Sequence, residues 1–437
     1  MTNAALQTNT LAEPQATATP FLEVAQAIAA HLAQTAVWDG DRCNWIGSAT
    51  EPVNGTFQTV QRACAADVYS GTAGVTQFFS QLLRQQPDAA LEETLEGTVN
   101  HMLRDRRTTD APANYAYYGG ALGLAATLIE VGERHGRPEW AAAGWERLTR
   151  ICAQPVQDFE VDVISGVAGA IPVLLRLLAQ YARPVLGEAA VRCGDFLVQK
   201  ALKEPTAWAW QALPGQPAMT GYSHGAAGMA LALLELYRAT NNPTYYTGAM
   251  MGFNFERRHY NPQLQNWPDL REMTGMGLPT PAAGTPPTYG EAWCHGAPGI
   301  ALSRLRAWQL TGDESFRQEA EIALNTTHRG IYNMVTNPAA QPNFSLCHGL
   351  AGNADIMLEG SRVLQNDLYR QVAEAAGNYG IEKYHRPGLS WPSGVNDPSG
   401  ATPGRAEAPG LLLGLAGTGH FYLRLAFPEA VPSALLL

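Results

Sequence analysis

No apolar stretch of about 18 residues occurs in this 437-residue chain, so no helix in it is expected to span a bilayer. There is no basic run of about five residues or more, and the formal net charge is −10. Nucleic acid and anionic membrane are therefore poor candidates for partners. Cysteine is scarce: Cys43, Cys64, Cys152, Cys193, Cys294 and Cys347 are the whole complement. The first residues, Met1 to Pro20, have neither the cationic start nor the apolar segment of a secretory signal. These two deficits point to the reducing cytoplasm, with thiols that are free or metal-bound and no disulfide framework. Period-two runs of β-branched residues are also rare, which argues against a sheet-built fold.

What the chain has in quantity is glycine, 43 residues, within a composition that is 46% hydrophobic. The glycines recur in a pattern: a small, polar or aromatic residue, a Gly, two residues, a second Gly, then an apolar run. It begins with Tyr69-Ser70-Gly71-Thr72-Ala73-Gly74 and returns around Gly120, Gly166, Gly225, Gly296, Gly349 and Gly414, at spacings of 46 to 71 residues. Six unequal intervals between seven turns imply one constant structural unit joined by loops of different length.

After each Gly turn the chain is apolar nearly all round, as in Val167 to Tyr181, which predicts a helix buried on every side. Between these runs lie segments with a single apolar stripe. Leu91, Leu95, Val99 and Met102 form one, and Leu368, Val372, Ala376 and Tyr379 another. Each unit thus reads as an amphipathic outer helix, a loop, a Gly turn and a buried inner helix. Seven such units predict an all-α fold, an α/α toroid of seven helical hairpins with an inner and an outer ring. The turns should gather at one end of the inner ring, with the residues before each Gly facing a central cavity. Residues 1–20 are expected to be a disordered tail and residues 21–437 a single domain. Two Pro- and Gly-rich segments, Asn261 to Ala292 and Arg386 to Pro409, should rim the cavity mouth.

Aligned on the first Gly of each turn, the preceding position reads Ser70, Gly119, Ser165, His224, His295, His348 and Leu413. The position before that reads Tyr69, Tyr118, Ile164, Ser223, Cys294, Cys347 and Leu412. Two thiols and three imidazoles fall in units four, five and six, which are neighbours in a ring. Thiolate and imidazole are zinc ligands, and three protein ligands with one open position is the catalytic pattern. Spacing leaves His224, His295 and His348 equally eligible as the third ligand. Asp162, set among apolar residues before the third turn, could orient a histidine or serve as an ordinary helix N-terminal acid. The remaining four cysteines read as packing residues, and His385 and His420 as isolated surface or loop residues. The run Gly414 to Gly419 is no phosphate loop, since no strand precedes it and no Lys follows.

From about Phe21 onward the chain resembles the lanthionine synthetase C (LanC) family, the zinc cyclases of lanthipeptide biosynthesis. The marks are Gly221-Tyr222-Ser223-His224-Gly225, Trp293-Cys294-His295-Gly296-Ala297-Pro298-Gly299 and Cys347-His348-Gly349. The second of these, with Trp38-Asp39-Gly40 and the run Pro409 to Gly417, is similar to the cyclase half of the two-domain class II synthetases (LanM). The resemblance implies a seven-fold toroid and one zinc held by Cys294, Cys347 and His348. It also implies His224 as the acid/base residue and Asp162 as its acidic partner. One departure bears on mechanism: some stand-alone cyclases carry Tyr after the first cysteine and Arg four before it, where this chain has His295 and Gly290. His295 is accordingly a rival to His224 for handling the proton.

The implied reaction adds a peptide cysteine to Cβ of dehydroalanine or dehydrobutyrine in a precursor dehydrated by a separate enzyme. No kinase-type His-Arg-Asp set is present. The same site would serve addition of glutathione or another free thiol, or a zinc-bearing scaffold that binds a dehydratase without turnover. A toroidal glycoside hydrolase would need a carboxylate pair at the cavity, and the two turn columns contain none.

Overall fold

The computed structural model describes residues 19–53, 56–106, 114–156, 161–213, 215–271, 286–395 and 407–437. The expected tail lies outside them, except that Thr19 and Pro20 already open the first helix. Fourteen helices are present among the described residues. They are α1 Thr19–Thr35, α2 Thr72–Gln85, α3 Ala89–Arg104, α4 Ala121–Arg134, α5 Pro138–Cys152, α6 Val167–Tyr181 and α7 Pro184–Lys200. The second half comprises α8 Ala226–Thr240, α9 Pro243–His259, α10 Ala297–Thr311, α11 Glu314–Thr336, α12 Leu350–Leu364, α13 Asp367–Tyr384 and α14 Leu415–Ala426.

The seven even-numbered helices each start at a Gly turn and are buried along most of their length, as the apolar sequence requires. The odd-numbered helices pack outside them through one apolar stripe. Pairing differs from the sequence reading in direction. Each inner helix makes its hairpin with the outer helix that follows it, α2 with α3 through α12 with α13. The seventh pair is α14 with α1, so the two ends of the described chain close the ring. Asp88, Asn242, Asp313 and Asn366 cap the outer helices by accepting a backbone N–H. Pro172 lies well inside α6, beyond the first turn where its missing N–H would cost least.

Strand is not wholly absent. Among the described residues three antiparallel hairpins occur: β1 Val37–Asp39 with β2 Arg42–Asn44, β3 Ile46–Val53 with β4 Thr56–Ala63, and β5 Leu202–Lys203 with β6 Trp208–Ala209. The β3–β4 pair runs eight residues on each side, from Ile46↔Ala63 to Val53↔Thr56. Its Thr- and Gln-rich sequence has no apolar alternation, which is why periodicity does not reveal it.

Backbone hydrogen bonds link the turns themselves. Tyr69 N donates to Tyr118 O at 2.9 Å, Gly119 N to Ile164 O at 3.2 Å and Val163 N to Ser223 O at 2.9 Å. Ser223 N then donates to Cys294 O at 3.3 Å, Cys294 N to Cys347 O at 3.4 Å and Cys347 N to Leu412 O at 2.9 Å. Leu412 N donates back to Tyr69 O at 2.8 Å and closes the circuit. Inside it lies the segment after α14: Tyr118 Oη donates to Ala434 O at 2.7 Å and Trp293 Nε1 to Leu435 O at 3.1 Å. Arg424, fully buried, joins α14 to Asp355 on α12 at 2.5 Å, and Ser433 caps the same carboxylate.

The second glycine of each motif is required by close approach. A Cβ at Gly123 would stand 1.8 Å from Tyr117 O, and one at Gly352 1.8 Å from Leu346 O. The first turn of the inner helix therefore rests directly on the carbonyl six residues before it. Gly123→Ala should lower stability by about 1–3 kcal/mol through overpacking, in a unit that carries no metal-binding side chain. Urea unfolding followed by circular dichroism measures this; an unchanged midpoint would contradict the close packing.

Candidate metal centre

The hydrogen bond from Cys294 N to Cys347 O sets the fifth and sixth turns side by side. It brings Cys294, Cys347 and His348 together, with one ligand atom from each lying within 4.8 Å of the others. Neighbouring groups orient all three. Tyr69 Oη donates to Cys347 Sγ at 3.1 Å. His348 Nε2 donates to Gly394 O at 2.8 Å, which leaves Nδ1 with its lone pair for a metal. Asn343 braces the turn: its Oδ1 accepts from Ser345 N at 3.1 Å, and its Nδ2 donates to His348 O at 3.3 Å.

The thiols behave as a pair. Cys347 is held below the ordinary thiol range by the Cys294 thiol, with help from the Tyr69 hydroxyl and the positive charge of Arg271, against burial. Cys294 is pushed up because its proton is held against Cys347 and because it is buried. The shared proton and the Tyr69 hydroxyl thus favour the thiolate form of Cys347 over that of Cys294. By contrast, burial lifts Cys43 and Cys64 to about 12 and Cys152 to about 11, and raises Cys193 further. Those four are packing residues, as the sequence suggests. Two sulfurs and one oriented imidazole nitrogen are a donor set that suits zinc.

On the unit-four side, His224 Nδ1 donates to Asp162 Oδ2 at 2.5 Å. Asp162 is fully buried while His224 keeps 20% of its side chain exposed. The other carboxylate oxygen, Oδ1, accepts from Ser165 N at 2.7 Å, so Asp162 fixes its own turn and the histidine together. Burial would depress His224, but the hydrogen bond and charge of Asp162 outweigh it and hold the imidazole above its ordinary value. His295 is different. It is 4% exposed, its Nδ1 has no partner among the described residues, and its ring lies 6.1 Å from that of His224. Burial and the nearby Arg271 push it down to about 3, so it is neutral.

Two contributors escape a sequence reading. Glu256 on α9, fully buried, accepts from Gly221 N at 3.1 Å and Ala227 N at 2.8 Å, bracketing the turn that carries His224. Arg271 forms a fork with Asp269, with Nε at 3.0 Å from both oxygens and Nη2 at 2.5 Å from Oδ2. The loop bearing them is tied to both flanking turns. Thr220 Oγ1 donates to Pro268 O at 2.5 Å, and Asn266 Oδ1 accepts from Ala297 N at 2.8 Å. Asp-Leu-Arg in a Pro-rich loop ahead of the cysteine turn is the only sequence signal for this pair.

The two irregular segments reach the centre in different ways. Residues 261–271 supply Arg271, while residues 272–285 lie outside the described set. In the later segment Gly394 holds His348, but Trp391 is buried against Phe344, Tyr384 and Tyr422 and is not at the rim. Residues 396–406 are outside the described set. His420 is no surface residue: it is 4% exposed on α14, with Nε2 donating to Pro432 O at 2.9 Å, because the segment after α14 folds back over it. His385 is exposed at the end of α13, as expected.

A cavity of about 360 Å³ adjoins the centre on the side of units six, seven and one, with His348 and Tyr69 in its wall.

Residues 64–436 match the lanthionine synthetase C-like protein family. The chain is 22% identical over 344 residues to the lacticin 481/lactococcin biosynthesis protein LcnDR2 of Lactococcus lactis subsp. lactis, covering 78% of this chain but only 34% of that protein. It thus spans about a third of that relative's length. It is 23% identical over 350 residues to the glutathione S-transferase LANCL1 of Danio rerio, covering 75% of this chain and 78% of that one. Among solved structures, nisin cyclase shares the fold with a TM-score of 0.64 at 16% identity, over 94% of both chains. A fourteen-helix toroid with a Cys-Cys-His cluster at its turn ring, matched by the family profile over most of its length, places this chain in the lanthionine synthetase C-like family.

Proposed function

We propose that this chain is a zinc-dependent cyclase that closes thioether rings in a dehydrated peptide, with Cys294, Cys347 and His348 as the metal ligands. The observation that carries the reading is the convergence of two thiols and one imidazole within 4.8 Å, next to a histidine already paired with a buried aspartate. A zinc ion held there would lower the pKa of an incoming cysteine thiol, so that it reacts as thiolate near neutral pH.

The protein's own residues account for the remaining requirements. The peptide sulfur attacks Cβ of dehydroalanine or dehydrobutyrine, the C–S bond forms, and the π electrons move onto the carbonyl oxygen as an enolate. Cα must then take a proton. His224 is the donor we assign, since Asp162 engages Nδ1 and leaves Nε2 for transfer. Its exposure favours it over His295, which is 4% exposed and neutral. Asp162 acts through His224 as a positioning residue. Arg271 adds a fixed positive charge beside the thiols, favouring their ionised form. Tyr69, kept protonated by burial and the adjacent thiol, donates to Cys347 and tempers its charge.

The name of the Danio rerio relative supports a second reading, addition of glutathione to a dehydrated residue. The two separate by mass. Cyclisation of a dehydrated peptide leaves its mass unchanged while consuming a thiol; glutathione transfer raises the mass by one glutathione per event. The cyclase reading expects ring closure at the same rate with and without glutathione. Adduct formation alone would replace it by the second.

Two sets of variants test the site. Cys294→Ala and Cys347→Ala should each lose bound zinc, measured by plasma emission on purified protein, whereas full occupancy in both would remove the proposed ligands. His224→Asn should keep its zinc and cyclise about 10²–10⁴ times more slowly, and Asp162→Asn should slow in the same direction. Loss of zinc from His224→Asn would make that residue a ligand. A His224→Asn protein at full rate beside an inert His295→Asn would transfer the proton role to His295.

A further inference from the structure

The β3–β4 hairpin, Ile46–Ala63, lies outside the stretch that matches the family, which begins at residue 64. Yet it forms one wall of the 360 Å³ cavity beside the metal centre. Ser48, Thr50 and Arg62 line the cavity from the hairpin, His348 from the sixth turn, Tyr69 from the first and Leu413 from the seventh. That volume is at the lower end of ligand sites, roughly 300–1,000 Å³, and suits a short extended peptide segment. The wall is fixed in place. Ser48 N donates to Glu407 O at 3.1 Å, Gln61 Nε2 donates to Ser48 Oγ at 2.7 Å, and Arg62 pairs with Glu51 across the strands. Gly47 rests so closely on Pro409 that a Cβ there would lie 2.5 Å from its ring. Among the described residues the lining offers hydroxyls and no carboxylate, and its one guanidinium, Arg62, is already paired with Glu51, so it favours a neutral segment.

Position around the ring decides which part of a substrate belongs here. The thiol pair sits on units five and six. His224 and Asp162, which on the proposed reading serve the acceptor carbon, lie on units four and three. The cavity lies on the other side, against units six, seven and one. We infer that the β3–β4 hairpin and the cavity it walls form a subsite for the substrate residues flanking the reacting cysteine, and so set which peptides this chain accepts. The inference rests on the cyclase reading for the identity of the ligand, and on the geometry alone for its location.

The test uses the full chain, loaded with zinc, and short fluorescein-labelled peptides with one cysteine and one dehydroalanine, with binding followed by anisotropy. One peptide has neutral residues flanking the cysteine, and a second is trimmed on that flank only. Ala49→Trp and Thr50→Trp, both in the cavity wall, should weaken binding of the first peptide about tenfold, while Tyr332→Trp on exposed α11 leaves it unchanged. The trimmed peptide should bind weakly to the wild type and be insensitive to both cavity variants. Zinc content and circular dichroism should match the wild type in all three. Cavity variants that bind like wild type, or whose defect tracks the dehydroalanine flank, would overturn the subsite. A wild type that binds the peptide yet closes no ring would overturn the cyclase reading, while the loss of binding in the two variants would still uphold the subsite.

Discussion

Seven backbone hydrogen bonds that pass from turn to turn, and return to the first, hold the working end of this molecule together. Every one uses a residue within one position of the same alignment column: Tyr69, Tyr118, Ile164, Ser223, Cys294, Cys347 and Leu412. A hydrogen bond contributes only about 0.5–1.5 kcal/mol net, but a buried amide left unpaired costs more, so each turn depends on its neighbour for register. The meeting of Cys294 with Cys347 follows from this. Two adjacent units carry cysteine in the bonded column, and the bond between their backbones brings the sulfurs together. Helix packing supplies the frame, and the small residues of the turns let the chains converge on it.

Charge around the centre is arranged unevenly, and the arrangement follows ring order. Arg271 and its Asp269 clamp, the neutral His295 and the His224–Asp162 pair stand on one side of the thiols. On the other side are Tyr69, His348 with its Gly394 carbonyl, and an open cavity with no carboxylate among its described lining residues. The cyclisation proposed above, which must bind a nucleophile and protonate a carbon in one place, would benefit from such separation, because each group then titrates in its own surroundings.

Much of this was legible from residues alone. The seven glycine turns, the buried inner runs and the striped outer helices gave the toroid, because helix burial writes itself into periodicity. Aligning the turns put Cys294, Cys347 and the three histidines on one end, and the structure brings His348, the ligand that the family resemblance implies, beside the two thiols. Periodicity could not show that inner helices pair forward instead of backward, since both orders have the same stripe. It could not show β3–β4 either, whose polar strands bury little. Glu256 and Arg271 were hidden for another reason. Each acts across 20 residues or more of intervening chain, Glu256 on Gly221 and Ala227, and Arg271 on the thiols. Such contacts leave no local pattern. His420 was misread because only the return of the chain after α14 covers it.

The pairing of α1 with α14 has a consequence for how the molecule comes to be. The ring is complete only when its first helix meets its last, as in the contact of the Phe21 and Tyr422 rings, whose centroids lie 6.2 Å apart. Six hairpins can form as neighbours in the chain, each as soon as its own two helices exist. The seventh is a long-range closure whose entropic cost grows with the logarithm of the enclosed length. Ribosomal synthesis delivers α1 first and α14 last, so for most of translation α1 presents an apolar stripe, Phe21, Leu22, Val24, Ile28 and Leu32, without its partner. The units that bring the thiols together lie within the part that can assemble earlier, whereas the bond from Leu412 to Tyr69 has to wait. Closure therefore comes last, and in the interval before it the apolar stripe of α1 is exposed to misassociation.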